Sequence, residues 1–192
     1  MKLSPIWLAL TALLLLLPAR SGCDTLKAHA IADVVGLDGS SLGHADFSQT
    51  SHGVLIEANL HGLPPGPHAM HIDNVGTCDP KKQFASAGSH LSFEPRAHGY
   101  FARGGPHEGD LPNQFAAQDG TLRASTISNA FTLGNGTKSL FGPKGGALVL
   151  DSAGDDYLTQ PSGNSGKRIA CGPIKRTIAP GTRRAPSQHA HK

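Results

Sequence analysis

No segment of ten or more residues in this chain spaces its apolar residues at a convincing helical period, which argues against a helical bundle or a helix-rich α/β fold. Aromatic residues are scarce, at 5%. No apolar run is long enough to span a bilayer: the longest, "ALTALLLLLP" at residues 9–18, falls short of a membrane helix. From Ile174 to the last residue there is no acid at all. Cysteines number only three.

The 192 residues suggest one domain with short extras. Lys2, the apolar run and "ARSGC" form an export signal over residues 1–22. Cys23 follows Ser21 and Gly22 and is a candidate for lipid attachment. Arg20 stands where a lipid-attachment motif carries an aliphatic residue, so plain cleavage after Ser21 or Gly22 is the competing expectation. Either way the protein is expected in the bacterial periplasm or cell envelope, where disulfides persist and an odd number of cysteines asks for an explanation.

Net charge is +3 over the full chain, but it is unevenly spread. Lys175, Arg176, Arg183, Arg184 and Lys192 form a basic tail over residues 175–192, while residues 23–174 form a weakly acidic body. The tail is expected to be disordered after its first few residues and to attract anionic envelope polymers. A solvated tail without a partner is the alternative, and no nucleic-acid partner is expected.

Glycine is abundant, at 24 residues, and apolar alternation comes in short pieces. "GVLIEANL" puts Val54, Ile56, Ala58 and Leu60 on one face. "KAHAIADVVG", "HADFSQT", "TLRASTISNAF" and "GGALVLD" also read as strands, separated by "GLDGSSLG", "GLPPGP", "QDG" and "GNG". An all-β sandwich or barrel follows. Residues 74–115 and 151–165 break the rhythm; loops this long are usually functional or disordered, and the histidines and aspartate of the first favour function. "NGT" at 135–137 has the form of a glycosylation sequon and is read as a turn.

The first long loop carries the chemistry. "GPHAMHIDNVGTC" (residues 66–78) places His68 and His71 three apart at a strand edge, and Asp73 where a second histidine would complete an H-x-H pair. His90, His98 and His107 follow, then Asp110. A lone histidine is usually structural, but five within 40 residues of an exported β protein, with a carboxylate, form a zinc-type donor set.

The motifs "GPHAMHI", "SAGSH", "HG" at 98–99, "HEGDLPN", "GGALVLD", "DDY" and "GNSGKRIACG", in this order over residues 28–174, resemble those of bacterial copper,zinc superoxide dismutases. The resemblance implies an eight-stranded Greek-key β-barrel with a metal-binding loop and an electrostatic loop. It assigns the zinc ligands to His90, His98, His107 and Asp110. It makes Asp155 the carboxylate linking the two metal halves, Cys78 and Cys171 the disulfide, Arg168 the guide of the superoxide anion, and His68 a structural histidine. Pairing Cys78 with Cys171 leaves Cys23 as the odd cysteine, which lipidation would account for.

The copper half departs from the family. Of its four histidine positions, His71 and His90 match; the other two hold Asp73 and Asp151. Zinc has no redox chemistry, and copper prefers imidazole or thiolate to hard carboxylate oxygens. The expectation is therefore a zinc-binding protein of this fold with little or no copper-dependent dismutation. Two alternatives stand beside it. One is an active enzyme converting superoxide to oxygen and hydrogen peroxide with residual copper, or with iron or manganese, at a His71, His90, Asp73, Asp151 site. The other is a metal buffer assisted by His189 and His191.

Overall fold

A computed structural model describes residues 28–177. The expected export signal, Cys23, His189, His191 and the basic residues Arg183, Arg184 and Lys192 lie outside the described residues.

Eight strands form one sheet: β1 (His29–Gly36), β2 (Ser41–Thr50), β3 (Gly53–Leu60), β4 (Gly66–Asp73), β5 (Asp110–Ala116), β6 (Leu122–Ser128), β7 (Ala147–Asp151) and β8 (Arg168–Thr177). Their spatial order is β5-β4-β7-β8-β1-β2-β3-β6. Every ladder is antiparallel. The two end strands, β5 and β6, are consecutive in sequence and joined by a tight turn in which Ala117 N donates to Thr121 O at 2.8 Å. The result is a nearly closed barrel with Greek-key crossovers from β3 to β4 and from β6 to β7. Closure of this kind removes most of the exposed edge that an open sheet presents.

The alternation read from the sequence places the core as expected. Val54, Ile56, Ala58 and Leu60 all point into the barrel and are buried. β7 and β4 carry unbroken runs of buried residues, for a reason that matters to the site. β7 is buried at all five positions, because Leu148 and Leu150 face the barrel core while Ala147 and Val149 lie outside it under Phe84, Ala87 and Cys171. β4 is likewise buried from His68 to Asp73. A strand covered on both sides reads as a run of buried residues, not as an alternation.

The cover over β7 is the segment 78–88, which contains two short 3-10 turns, Pro80–Lys82 and Ala85–Ala87. The Cys78–Cys171 disulfide staples this segment to β8, with Cα atoms 5.7 Å apart. β8 continues to Thr177, three residues beyond the expected end of the folded body. Two of the tail's cations are therefore part of the barrel, and the Arg176 guanidinium lies 4.1 Å from the Phe141 ring centroid. β5 begins at Asp110, inside the stretch expected to be loop.

Candidate metal centre

Strand register brings the donors to one place. On β4, His71 and Asp73 are two apart and so share the outer face, beneath the long loops. Across the ladders, His71 pairs with Asp110 of β5 on one side and with Val149 of β7 on the other. Asp151, two residues after Val149, falls on the same outer face. An isolated bridge pairs Asp73 with His90. Both aspartates at the expected copper positions thus come to the same cluster as His71 and His90.

Around Asp110 three imidazoles converge. Its Oδ1 lies 2.8 Å from His90 Nδ1, 3.1 Å from His98 Nδ1 and 3.4 Å from His107 Nδ1. A tetrahedron with ligands about 2.0 Å from a zinc ion has edges of about 3.3 Å, close to these separations. Asp110 Oδ2 accepts from Gly99 N and His107 N, both at 2.9 Å, which turns Oδ1 toward the imidazoles. Burial works to raise the Asp110 pKa, but these bonds and the His90 ring hold it well below the usual carboxylate range. Burial is also the main reason that the His90 pKa is lowered.

Hydrogen bonds on the far side of the His98 and His107 rings select their tautomers. Carboxylate and carbonyl oxygens only accept, so a ring nitrogen hydrogen-bonded to one carries the proton. His98 Nε2 faces Asp155 Oδ1 at 3.0 Å, and His107 Nε2 faces the Arg96 carbonyl at 3.1 Å. Both rings then present a bare Nδ1 to Asp110. Those two Nδ1 atoms are buried and have no hydrogen-bond partner among the described residues.

His71 is placed differently. One donor atom each from His71, His90, His98 and Asp110 falls within 4.8 Å of the others, a set that contains His71 where the sequence pointed to His107. Both His71 nitrogens, however, already face carboxylates: Nε2 is 3.1 Å from Asp155 Oδ2 and Nδ1 is 3.3 Å from Asp151 Oδ2. Burial disfavours its charged form, but these two carboxylates outweigh that and lift His71 to about 9. His107 Nδ1 has no such competitor, so it is the better fourth donor.

Asp73 is fully buried. Its Oδ2 lies 2.7 Å from Arg168 Nη2, an ionic contact whose angle falls short of a hydrogen bond. Burial pushes Asp73 up to about 7, against the pull of Arg168 and His71. Arg168 is anchored further by its bonds to the carbonyls of Phe84 at 2.9 Å and Gly88 at 2.6 Å. Asp151 Oδ2 accepts from Ser165 Oγ at 2.8 Å. His68 takes no part in the cluster; its ring spans the carbonyls of Asp151 and Pro64, 2.7 Å from each.

Asp155 joins the two halves, with His71 on one oxygen and His98 on the other. Burial works to raise its pKa, but the His71 and His98 bonds outweigh it and leave Asp155 below the usual range. Its backbone is clamped by the Asn113 amide, which donates to Asp155 O at 2.9 Å and accepts from Asp155 N at 2.8 Å. Gln160 clamps His98 in the same manner, accepting from His98 N at 2.9 Å and donating to His98 O at 2.8 Å. Sequence reasoning missed Asn113, Gln160, Ser165, Arg96 and Glu108. Their only sequence signal is position: each lies within three residues of a donor or of Arg168, except Gln160.

The copper/zinc superoxide dismutase (SODC) family model matches residues 41–174. Superoxide dismutase (Cu-Zn) 2 of Aquifex aeolicus is 42% identical over 163 residues, covering 84% of this chain and 94% of that protein. The superoxide dismutase (Cu-Zn) of Caulobacter vibrioides is 38% identical over 149 residues, covering 76% of this chain and 85% of that one. Among solved structures, a double mutant of a SOD-like protein from Bacillus subtilis superposes with a TM-score of 0.71 at 33% identity, covering 74% of this chain and 94% of that one. With the barrel, the disulfide and the His/Asp cluster in place, the chain belongs to the copper/zinc superoxide dismutase family.

Proposed function

We propose that this chain is an exported zinc protein whose former copper half has become an internal charge network. In this reading zinc is held by His90, His98, His107 and Asp110, and copper-dependent dismutation of superoxide is weak or absent. Residues 1–22 support the export assignment.

The residues fit zinc. Two buried bare Nδ1 atoms and a third imidazole surround one carboxylate oxygen at separations suited to a tetrahedron. A closed site with four protein ligands supplies folding free energy and no redox step.

The residues do not fit copper. The observation that carries this is the Asp73–Arg168 contact at 2.7 Å. Ionised, Asp73 cancels the positive charge that would draw an anion to the site. Protonated, it still offers an oxygen where the family supplies an imidazole nitrogen, a poor exchange for copper. Asp151 acts on the other donor: its Oδ2 stands against His71 Nδ1. Both aspartates are already engaged, Asp73 by Arg168 and Asp151 by Ser165 and His71, which argues against a second metal site built on them.

The test is metal content and activity together. Protein purified from the native envelope should contain about one zinc per chain by elemental analysis. It should consume little superoxide, both as isolated and after copper loading. High dismutation in the copper-loaded protein would refute the reading, as would a redox metal at stoichiometric level.

A further inference from the structure

Of the three imidazoles that face Asp110, His107 is the least secured. Its side chain is 16% exposed, and its Nδ1 stands farthest from Asp110 Oδ1, at 3.4 Å. No carboxylate orients its ring. The partner of Nε2 is a main-chain carbonyl, that of Arg96, at 3.1 Å. Arg96 lies on the opposite arm of the metal loop, so the aim of the His107 ring depends on how firmly that arm is held.

The neighbouring residue supplies the hold. Glu108 is 8% exposed and reaches across to the same arm with both carboxylate oxygens. Its Oε1 is 2.9 Å from Arg96 Nε. Its Oε2 accepts from Phe93 N and Ser92 Oγ, each at 3.1 Å. Burial opposes ionisation, yet these bonds and Arg96 keep the carboxyl below its usual range. Residue 96 is therefore attached at two points: its carbonyl to His107 and its guanidinium to Glu108. Two attachments between consecutive residues on one arm and a single residue on the other stop the arms from sliding or twisting past each other. An exposed ion pair would contribute little. This carboxylate is largely buried and fully engaged, which sets it apart from the exposed Asp79–Lys82 pair at 4.0 Å.

We propose that Glu108 and Arg96 are positioning residues for the metal centre, a clasp that holds the Arg96 carbonyl where it fixes the His107 tautomer and points Nδ1 at the ligand position. The proposal rests on the zinc reading above. Outer hydrogen-bond partners of metal-bound histidines typically change metal affinity about 10- to 100-fold when removed.

The experiment measures zinc release from the full protein to excess chelator, and the visible spectrum of the cobalt-substituted protein. Glu108→Gln keeps the size of the side chain but has one oxygen for donors on two sides. Arg96→Met removes the guanidinium and leaves the carbonyl. Both should release zinc about 10-fold faster or more. Both should weaken or shift the cobalt absorption, as water competes with His107. Lys82→Met, which breaks the exposed pair, should change neither. Melting temperatures without metal separate the roles. A purely structural salt bridge would lower them while leaving zinc release and the cobalt spectrum at parent values, and that result would overturn the clasp. If the parent itself bound no zinc, the zinc reading would fall. If the parent bound zinc and both variants behaved like it, only the clasp would fall.

Discussion

Asp155 accepts three N–H groups on two oxygens, and replacing it with asparagine asks which of them is given up. Oδ1 takes His98 Nε2 at 3.0 Å and Tyr157 N at 2.6 Å; Oδ2 takes His71 Nε2 at 3.1 Å. An asparagine has one oxygen and one amide nitrogen. The oxygen should stay on the side with two donors, leaving the NH2 group facing His71 Nε2. His71, raised to about 9 and so protonated on both nitrogens at neutral pH, can then give up the Nε2 proton and keep the one on Nδ1, where Asp151 Oδ2 is 3.3 Å away. His98 keeps its tautomer, and its Nδ1 still faces Asp110. The loss is the step from a charge-assisted to a neutral hydrogen bond, about 1 kcal/mol, or roughly fivefold in zinc affinity. Asp155→Ala removes the acceptor outright. A buried N–H without a partner costs about 1–3 kcal/mol, and the tautomer is no longer fixed, so zinc affinity should fall about 10- to 100-fold. Competition with a chromophoric chelator at neutral pH measures both, and nitrogen-15 spectra of the imidazoles report the tautomers. Asparagine weakening zinc as much as alanine does, or alanine leaving zinc binding unchanged, would refute this role for Asp155.

Three further outcomes follow from the same geometry. Stability of the metal-free protein should decline as pH rises from about 6.5 to 9, above the range in which His90, whose pKa is lowered by burial, acts in the opposite sense. Asp73, raised to about 7, favours the fold below its ordinary carboxylate range and loses that contribution as pH passes 7, while His71, raised to about 9, does the same between its ordinary value and 9. The zinc-loaded protein should not show this decline, because zinc binding needs unprotonated imidazoles and strengthens with pH; denaturant melts of both forms across pH would expose a matching slope as an error. Gly163→Ala should lower zinc affinity as well as stability. Gly163 has φ +70, and a Cβ there would overlap the Asp155 carboxylate and lie 2.8 Å from His98 Nε2, so parent-like zinc binding in that variant would contradict the assigned link. Replacing Cys78 and Cys171 with serine should cost about 4–5 kcal/mol in urea unfolding, since the bridge closes a sequence separation of 93 residues; a change under 1 kcal/mol would mean that the segment is held without it.

The strands that the sequence made plain are those with one wet face. β1, β2, β3 and β6 alternate, and β7 was visible as a short apolar run between glycines and an aspartate. β5 was hidden because Asp110, Pro112, Asn113 and Gln114 give it the composition of a loop. Its job explains this: Asp110 faces the imidazoles and Asn113 holds Asp155, so polar residues stand where a plain strand would carry apolar ones. The histidine cluster was legible from its density, and the two aspartates, which the structure brings beside His71 and His90, were picked out by the motif order. What no local pattern revealed is the set of partners. Arg168 meets Asp73 across 95 positions of chain, and Gln160 meets His98 across 62. Side chain to backbone clamps between distant segments leave no periodic trace, because neither end is constrained by its own neighbours.

On the zinc reading proposed above, the two aspartates obstruct different parts of the copper half, and this decides what single histidine substitutions can do. Asp73 occupies one ligand position and holds the guanidinium of Arg168, so Asp73→His supplies a nitrogen and releases the cation. It leaves Asp151 Oδ2 against His71 Nδ1, the nitrogen that would have to bind copper. Asp151→His frees that nitrogen and adds a second, but Arg168 stays tied to Asp73 and one position remains a carboxylate. Each single change thus leaves three imidazoles and one obstruction. A buried carboxylate near the metal also favours the more highly charged copper ion over the reduced one, which works against cycling between the two. Asp73→His together with Asp151→His removes both obstructions while His71, His90, Asp155 and Arg168 remain. Copper uptake and superoxide dismutation of the double variant should rise well above the parent, by more than the two single effects combined. Additive gains would show that the obstructions act independently and that the arrangement around His71 and Arg168 is not a coupled network. A double variant that takes up copper but stays inactive would show that approach of the anion is blocked elsewhere, with the Phe84 and Gly88 carbonyls that hold Arg168 as the first place to look.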